Sequence, residues 1–397
     1  MKISNLAKSI APSSTLAITA KAKALKESGI DVVGFGAGEP DFDTPLHISK
    51  AAKIAIDEGF TKYTPASGTI SLKEAVAKKF ELENGVHYAP SQIVVSNGAK
   101  HSLINAFMAI LDSGDEVILP APFWLSYPEM IKMANGIAKT VQTKKENNFK
   151  LTPQELEEAI TEKTCAIVLN SPSNPTGVVY SRDELKALAD VAVKHDLWIV
   201  SDEIYEYLVY DDAEHTCIAS LSEEIYNHTI TINGLSKGFA MTGWRIGFLA
   251  APQQVASAAA NIQSHATSNP NSIAQRAADA ALIGGREFVD EMLVEFAKRR
   301  DYLYNALVSI DGFDVIKPHG AFYCFVDISD LYGKTFEGIE IDSAATLAAL
   351  LLDKANVAVV PCADFAAPNC IRLSYAIDLD SIKKGVEYIQ KFVSSLK

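Results

Sequence analysis

Six short apolar runs separated by helical patterns fill residues 90–250: QIVVSN, DEVILP, CAIVLN, LWIVSDE, TITING and IGFLAA. No other feature restricts the fold as much. The runs are rich in Val and Ile and do not alternate apolar with polar, which predicts strands buried on both faces of a mostly parallel sheet. Such strands need crossover helices, and the intervening segments carry helix starts. Thr152 with Glu155 and Ser181 with Glu184 each place a hydroxyl three residues before a glutamate, the pattern that satisfies free amides reciprocally. Ser71 with Glu74 repeats it and predicts the start of the helix LKEAVAKKFELENG. Beyond Asn271 comes one long helical pattern and then shorter strands and helices, which marks a second domain.

The rest of the composition narrows the class. At 397 residues the chain exceeds one ordinary core, and 48% hydrophobic with 21% charged residues reads as globular throughout. A formal net charge of −13 opposes binding to nucleic acid or to an anionic membrane surface. The first twenty residues lack a signal-peptide core and no later run is long enough to span a membrane, so a soluble cytoplasmic protein is expected. Five cysteines, Cys165, Cys217, Cys324, Cys362 and Cys370, form an odd set without a C-x-x-C pair. Reduced thiols are expected, with no disulfide framework and no metal site.

Sheets of this kind bind ligands at the carboxyl ends of their strands, so the polar residues there matter most. After IVVS, the stretch Asn97-Gly98-Ala99-Lys100 opens an amphipathic helix whose free amides suit a phosphate, although an ordinary strand-to-helix turn reads the same way. It is neither a P-loop nor a dinucleotide fingerprint. Asp202 and Glu203 follow an apolar strand, where a carboxylate requires a cation or strong donors; Tyr205 lies just beyond. Asn174 sits in SPSNPTG, held between two prolines in a rigid loop that fits either a plain turn or an amide aimed at a ligand. In SKGFAMTGWRIG, Lys237 has Leu235, Phe239 and Met241 for neighbours, surroundings that lower an amine's pKa, and Arg245 offers a fork for phosphate. Arg372 lies in the apolar-flanked NCIRLSYA, either as a satisfied ion pair or as an anchor for a substrate carboxylate. Gly36 and Gly38 in GFGAGEPD fit either a close backbone approach to a ligand or a bare turn.

Together these stretches resemble the fold-type I, pyridoxal-phosphate-dependent class I and II aminotransferases, and most of all the bacterial aspartate aminotransferases of subgroup Ib. The likeness runs in order through AGEPDFDTP, YTPASG, SNGAK, PFWLSYPEM, NSPSNPTG, SDEIYEYLVY, SKGFAMTGWRIGF, HGAFY and IRLSYA. It implies a mostly parallel seven-stranded sheet in a large cofactor-binding domain over residues 48–290. Residues 1–47, an N-terminal arm included, and 291–397 would build a smaller α/β domain.

The resemblance also implies roles. Lys237 would hold pyridoxal 5′-phosphate as an aldimine and shuttle the proton, with Asp202 on the ring nitrogen and Tyr205 and Asn174 on the ring's phenolic oxygen. Ser236, Arg245 and the amides of Ala99 and Lys100 would take the phosphate, and Trp124 would stack on the ring. Arg372, Asn174 and the Gly38 amide would hold the substrate carboxylate. Tyr63 would reach the phosphate of a neighbouring subunit, which implies a homodimer with shared active sites. The implied reaction moves the amino group of L-aspartate to 2-oxoglutarate. A donor preference for aromatic amino acids or alanine, or a β-lyase reaction, are the alternatives on the same fold. Two departures from relatives stand out: Gly234 replaces a phosphate-binding serine, and Ala11 replaces the lysine of prephenate-using enzymes. Ser14 and Thr15 are candidates for reaching a distal substrate group.

Overall fold

In the computed structural model, which describes residues 1–397, the six apolar runs are six strands of one seven-stranded sheet. From edge to edge the order is Ile93–Ser96, Gly247–Ala250, Thr229–Gly234, Trp198–Asp202, Thr164–Asn170, Glu116–Ala121 and Ile137–Gln142. All are parallel except Gly247–Ala250, which runs against both neighbours. The last strand, IAKTVQ, forms an edge with its residues exposed or half-exposed, and so carries no apolar run to betray it.

Burial explains why the other strands do not alternate. Along Thr164–Asn170, Ala166 and Val168 pack with Phe107, Tyr127 and Ile131, whereas Ile167 and Leu169 pack with Leu156, Leu185 and Leu188 on the opposite face. Helices therefore cover both sides, and polar residues have no place in mid-strand.

The helix starts follow the predicted chemistry at two of three sites. Thr152 Oγ1 accepts from the Glu155 amide at 3.2 Å while the Glu155 carboxylate accepts from the Thr152 amide at 2.9 Å, and Ser181 with Glu184 does the same. The third expectation is corrected: the helix Ile70–Asn84 is capped by Thr69, not Ser71. Thr69 has the extended backbone a cap needs, whereas Ser71 already lies in the first turn and donates to Asp279. The long pattern after Asn271 is two helices, Ser272–Ile283 and Glu287–Val308, parted by Gly284 and Gly285.

A second, antiparallel sheet follows in the order Val360–Pro361, Cys370–Ser374, Tyr323–Asp327 and Asp314–Ile316. Glu287–Val308, Ala344–Ala355 and Leu379–Ser394 share a core with it. Near the start of the chain, Val33–Gly34 pairs in parallel with Val357–Ala358, joining that segment to this layer. All five cysteines are free thiols, and no helix is long and apolar enough to cross a membrane. The parallel strands of the large sheet all point their carboxyl ends toward one side.

Candidate active site

On that side lies a cavity of about 350 Å³. Asp202 and Asn170 end their strands, Ala99 and Lys100 begin the helix Ala99–Ile110, and Lys237 sits in the turn after Thr229–Gly234. Arg372 and Tyr323 enter from the second sheet and Gly38 from the segment beyond Val33–Gly34. Trp124, Asn174, Tyr205, Ser236 and Arg245 also line its walls, so that of the residues assigned roles only Tyr63 lies outside it.

One end of the cavity is built for an anion. The helix Ala99–Ile110 has no side-chain cap, so its first amides are left for a ligand. Arg245 lies against this helix start and donates to the carbonyls of Thr242 at 2.9 Å and Asn97 at 3.4 Å. Its approach depends on Gly98, where a Cβ would stand 2.4 Å from the guanidinium. Gly247 allows an equally close approach, since a Cβ there would be 2.2 Å from the Ala99 nitrogen. Gly234 pairs with Gly247, and its own Cβ would stand 2.9 Å from the Gly247 Cα, so a side chain at this position would have no room.

The middle of the cavity holds an amine and an acid. Lys237 Nζ donates to the Gly38 carbonyl at 2.5 Å, so the carbonyl of Gly38 faces the amine. Burial brings the lysine pKa down to about 8, with Arg245 and Arg372 adding to the effect and Glu39 and Asp202 opposing it. Asp202 is 3% exposed and burial raises its pKa to about 6 against the pull of its hydrogen bonds. It meets no cation at ion-pair distance; Tyr127 donates to its Oδ2 at 2.6 Å and the Ile204 amide to Oδ1 at 3.3 Å.

The other end suits a carboxylate. Arg372 is 2% exposed, donates from Nη1 to Asn174 Oδ1 at 2.9 Å, and lies 4.2 Å over the Tyr323 ring. Its Nε is buried without a protein partner, which is a donor a bound carboxylate would satisfy. Asn174 is held in turn, since its backbone amide donates to Asn170 Oδ1 at 2.9 Å.

Not every expectation is met by the chain alone. Tyr205 hydrogen bonds Tyr323 across 2.9 Å, the tyrosine of HGAFY, to which no role was assigned from sequence. Tyr63 is 91% exposed and does not line the cavity. Thr15 reaches the cavity together with Ser13, whereas Ser14 does not. Tyr127 was missed because a tyrosine in PFWLSYPEM reads as core; its one sequence signal is its position three residues after Trp124 at a helix start. Outside the cavity, Glu203, Glu206 and His215 bring possible metal-ligand atoms within 4.8 Å of one another. The Lys79 ammonium, 2.5 Å from Glu206, already supplies a cation there.

Chemically, the cavity can bind a phosphate at the helix start, present a nucleophilic amine at its centre, and clamp a carboxylate at Arg372. Four cationic side chains, Lys100, Lys237, Arg245 and Arg372, face a single carboxylate, Asp202. Comparison with known proteins agrees with this geometry. A family profile described as aminotransferase class I and II matches residues 30–389. The aspartate aminotransferase of Geobacillus stearothermophilus is 48% identical over 395 residues, covering all of both chains. The solved aspartate aminotransferase of Rhizobium meliloti superposes with a TM-score of 0.96 at 42% identity over 100% of both chains. That of Thermus thermophilus, with maleate, gives 0.93 at 43% identity over 98% of this chain and 99% of the other.

Proposed function

The chain belongs to the class I and II aminotransferases, and on that premise we propose that it transfers the amino group of L-aspartate to 2-oxoglutarate, with pyridoxal 5′-phosphate as cofactor. The products are oxaloacetate and L-glutamate. The observation that carries the reading is the convergence of Lys237, Asp202, Arg245 and Arg372 on one cavity. The uncapped helix start, the space kept by Gly98 and the unpartnered Arg372 Nε all fit a phosphate-bearing cofactor and a carboxylate substrate.

When bound, the cofactor supplies an aldehyde for the incoming amine and a protonated ring that draws electron density from the substrate Cα. The chain does the rest. Arg245, Ser236 and the amides of Ala99 and Lys100 hold the phosphate. Asp202 keeps the proton on the ring nitrogen, Tyr205 and Asn174 serve the phenolic oxygen, and Trp124 stacks on the ring. Lys237 Nζ removes and returns the proton at Cα, and a pKa of about 8 suits that base to near-neutral pH. Arg372, with Asn174 and Gly38, orients the α-carboxylate so that the Cα proton faces the amine.

The donor carried in the relatives' names, aspartate, is a dicarboxylate. Maleate, named with the Thermus enzyme, is another. We further propose that residues 48–290 form the cofactor-binding domain and that 1–47 with 291–397 form the smaller one. A homodimer with shared sites accounts for Tyr63, exposed on its own chain. Next to Arg245 a second, open cavity of about 770 Å³, bounded by Asn97, Trp244 and Ile273, leaves room for a side chain of a second copy.

A panel of amino donors with 2-oxoglutarate as acceptor tests the substrate assignment. Aspartate is expected to react fastest. An aromatic amino acid or alanine reacting about tenfold faster, a barrier difference of roughly 1.4 kcal/mol, would replace aspartate while leaving aminotransfer in place. Release of pyruvate or ammonia in place of glutamate would instead indicate a lyase.

A further inference from the structure

Asp202 has a single side-chain donor, and it comes from an element to which no role has been given. The Tyr127 hydroxyl donates to Oδ2 at 2.6 Å and makes no other hydrogen bond. On Oδ1 the only donor is the Ile204 amide at 3.3 Å. Tyr127 is 1% exposed and lies in the first turn of the helix Ser126–Met133, packed under the large sheet. Its ring stands edge-on to Trp124, with centroids 5.4 Å apart and planes at 90°. One residue thus touches both the acid at the centre of the cavity and the aromatic wall beside it.

A phenol bonded to a carboxylate at this distance is a strong, charge-assisted contact that favours the ionised acid. The other charged and titratable groups facing Asp202 divide. Glu203, on its own segment, disfavours the anion, and Lys237, from the turn after Thr229–Gly234, favours it; Tyr205 is buried alongside. Lys237 cannot be relied on for this, because the proposed chemistry occupies its amine. The hydroxyl of Tyr127 is free of that conflict.

We infer that Tyr127 is a positioning residue for aminotransfer: its hydroxyl holds the Asp202 carboxylate ionised and aimed into the cavity, while its ring fixes the orientation of Trp124. The inference rests on the reading of Asp202 as partner of the cofactor's ring nitrogen. Without the hydroxyl, Oδ2 loses its donor, the carboxylate turns and takes a proton more readily, and the acid serves only at higher pH.

The test is Tyr127→Phe in the cofactor-loaded protein, which removes the hydroxyl and keeps the ring against Trp124. The variant is expected to retain pyridoxal phosphate after dialysis. The pH titration of the cofactor's absorbance and the acid limb of kcat/KM should both move up by about one pH unit or more, the size of a lost hydrogen bond to a charged group. At pH 7, kcat should fall about tenfold while KM for the amino donor changes by less than about threefold. A lower Tm with unchanged titration, pH profile and kcat would overturn the inference, since that is what a purely structural tyrosine predicts. If Tyr127→Phe does not fold, 3,5-difluorotyrosine placed at position 127 gives a more acidic hydroxyl and should shift the acid limb downward; an unmoved limb would again overturn it. A wild-type protein that takes up no pyridoxal phosphate would fail one step earlier, removing the reading of Asp202 and this inference with it.

Discussion

Asp202 and Glu203 are neighbours in sequence with opposite surroundings. Asp202 faces the cavity and has only Tyr127 and one amide as donors, whereas Glu203 turns into a buried network of Ser201, the Ile218 amide and His215. The carboxylate that faces the cavity and the one that is bonded into the packing are therefore adjacent residues. Burial raises the Asp202 pKa from 3.8 to about 6, so the folded state binds its proton more tightly than the unfolded state does. The sign follows from linkage: stability is complete below about pH 4 and declines as pH rises through about 6. In the cofactor-free protein, Asp202→Asn is expected to gain stability at pH 7, by at most about 3 kcal/mol, and nothing at pH 4. Urea unfolding at the two pH values measures this, and an equal effect at both would contradict it. Activity of the loaded enzyme should fall sharply in the same variant, because the neutral amide cannot hold the ring nitrogen's proton. Lys237, Arg245 and Arg372 were legible as charges among apolar neighbours. Tyr127 and Tyr323 were not, because a buried tyrosine looks like core until the group opposite its hydroxyl is known.

At the scale of elements, the site is held from behind as well as from within. The segment after Trp198–Asp202 sends Tyr205 toward the cavity and Glu206 away from it, where Lys79 of the helix Ile70–Asn84 meets Glu206 and Asn84 bonds the same carboxylate at 3.1 Å. Lys79 and Glu206 are 5% and 6% exposed, so neither charge has water to fall back on. Lys79→Met should cost about 3–5 kcal/mol by stranding the Glu206 charge, and adding Glu206→Leu should recover most of it. Chemical denaturation of the single and double variants checks the pair; a double variant as unstable as the single would show that packing, not stranded charge, sets the cost. The caps show what local sequence can and cannot settle. A hydroxyl three residues before a glutamate predicted two helix starts correctly, but at Ser71 the same spacing was coincidental. The Gln275 side chain accepts the Thr69 amide at 2.8 Å, a contact across 206 residues that helps fix where that helix begins.

At the scale of the whole molecule, Tyr63 is the residue that one chain leaves unexplained. Leu46, Ile54 and Ile283 are also exposed, on the packed helices Leu46–Asp57 and Ser272–Ile283, as expected of a face covered by a second copy. Sedimentation should give twice the chain mass, and Tyr63→Phe should weaken pyridoxal phosphate binding about tenfold, the loss of one hydrogen bond to a charged group. A monomer, or unchanged affinity, would rule out shared sites. The sequence by itself determined the class of fold, since uninterrupted apolar runs with capped helices between them can be buried only in a sheet covered on both faces. It also marked most of the site, because charged residues at buried strand ends are too costly to keep without a ligand or partner. Only the tertiary structure decided the strand order, the exposed edge strand Ile137–Gln142, and which polar groups meet: Tyr127 with Asp202, Tyr205 with Tyr323, Asn174 with Arg372. Spacing along a chain reports the period of one element, whereas these pairs lie 75 to 198 residues apart and are chosen by the packing of several elements at once.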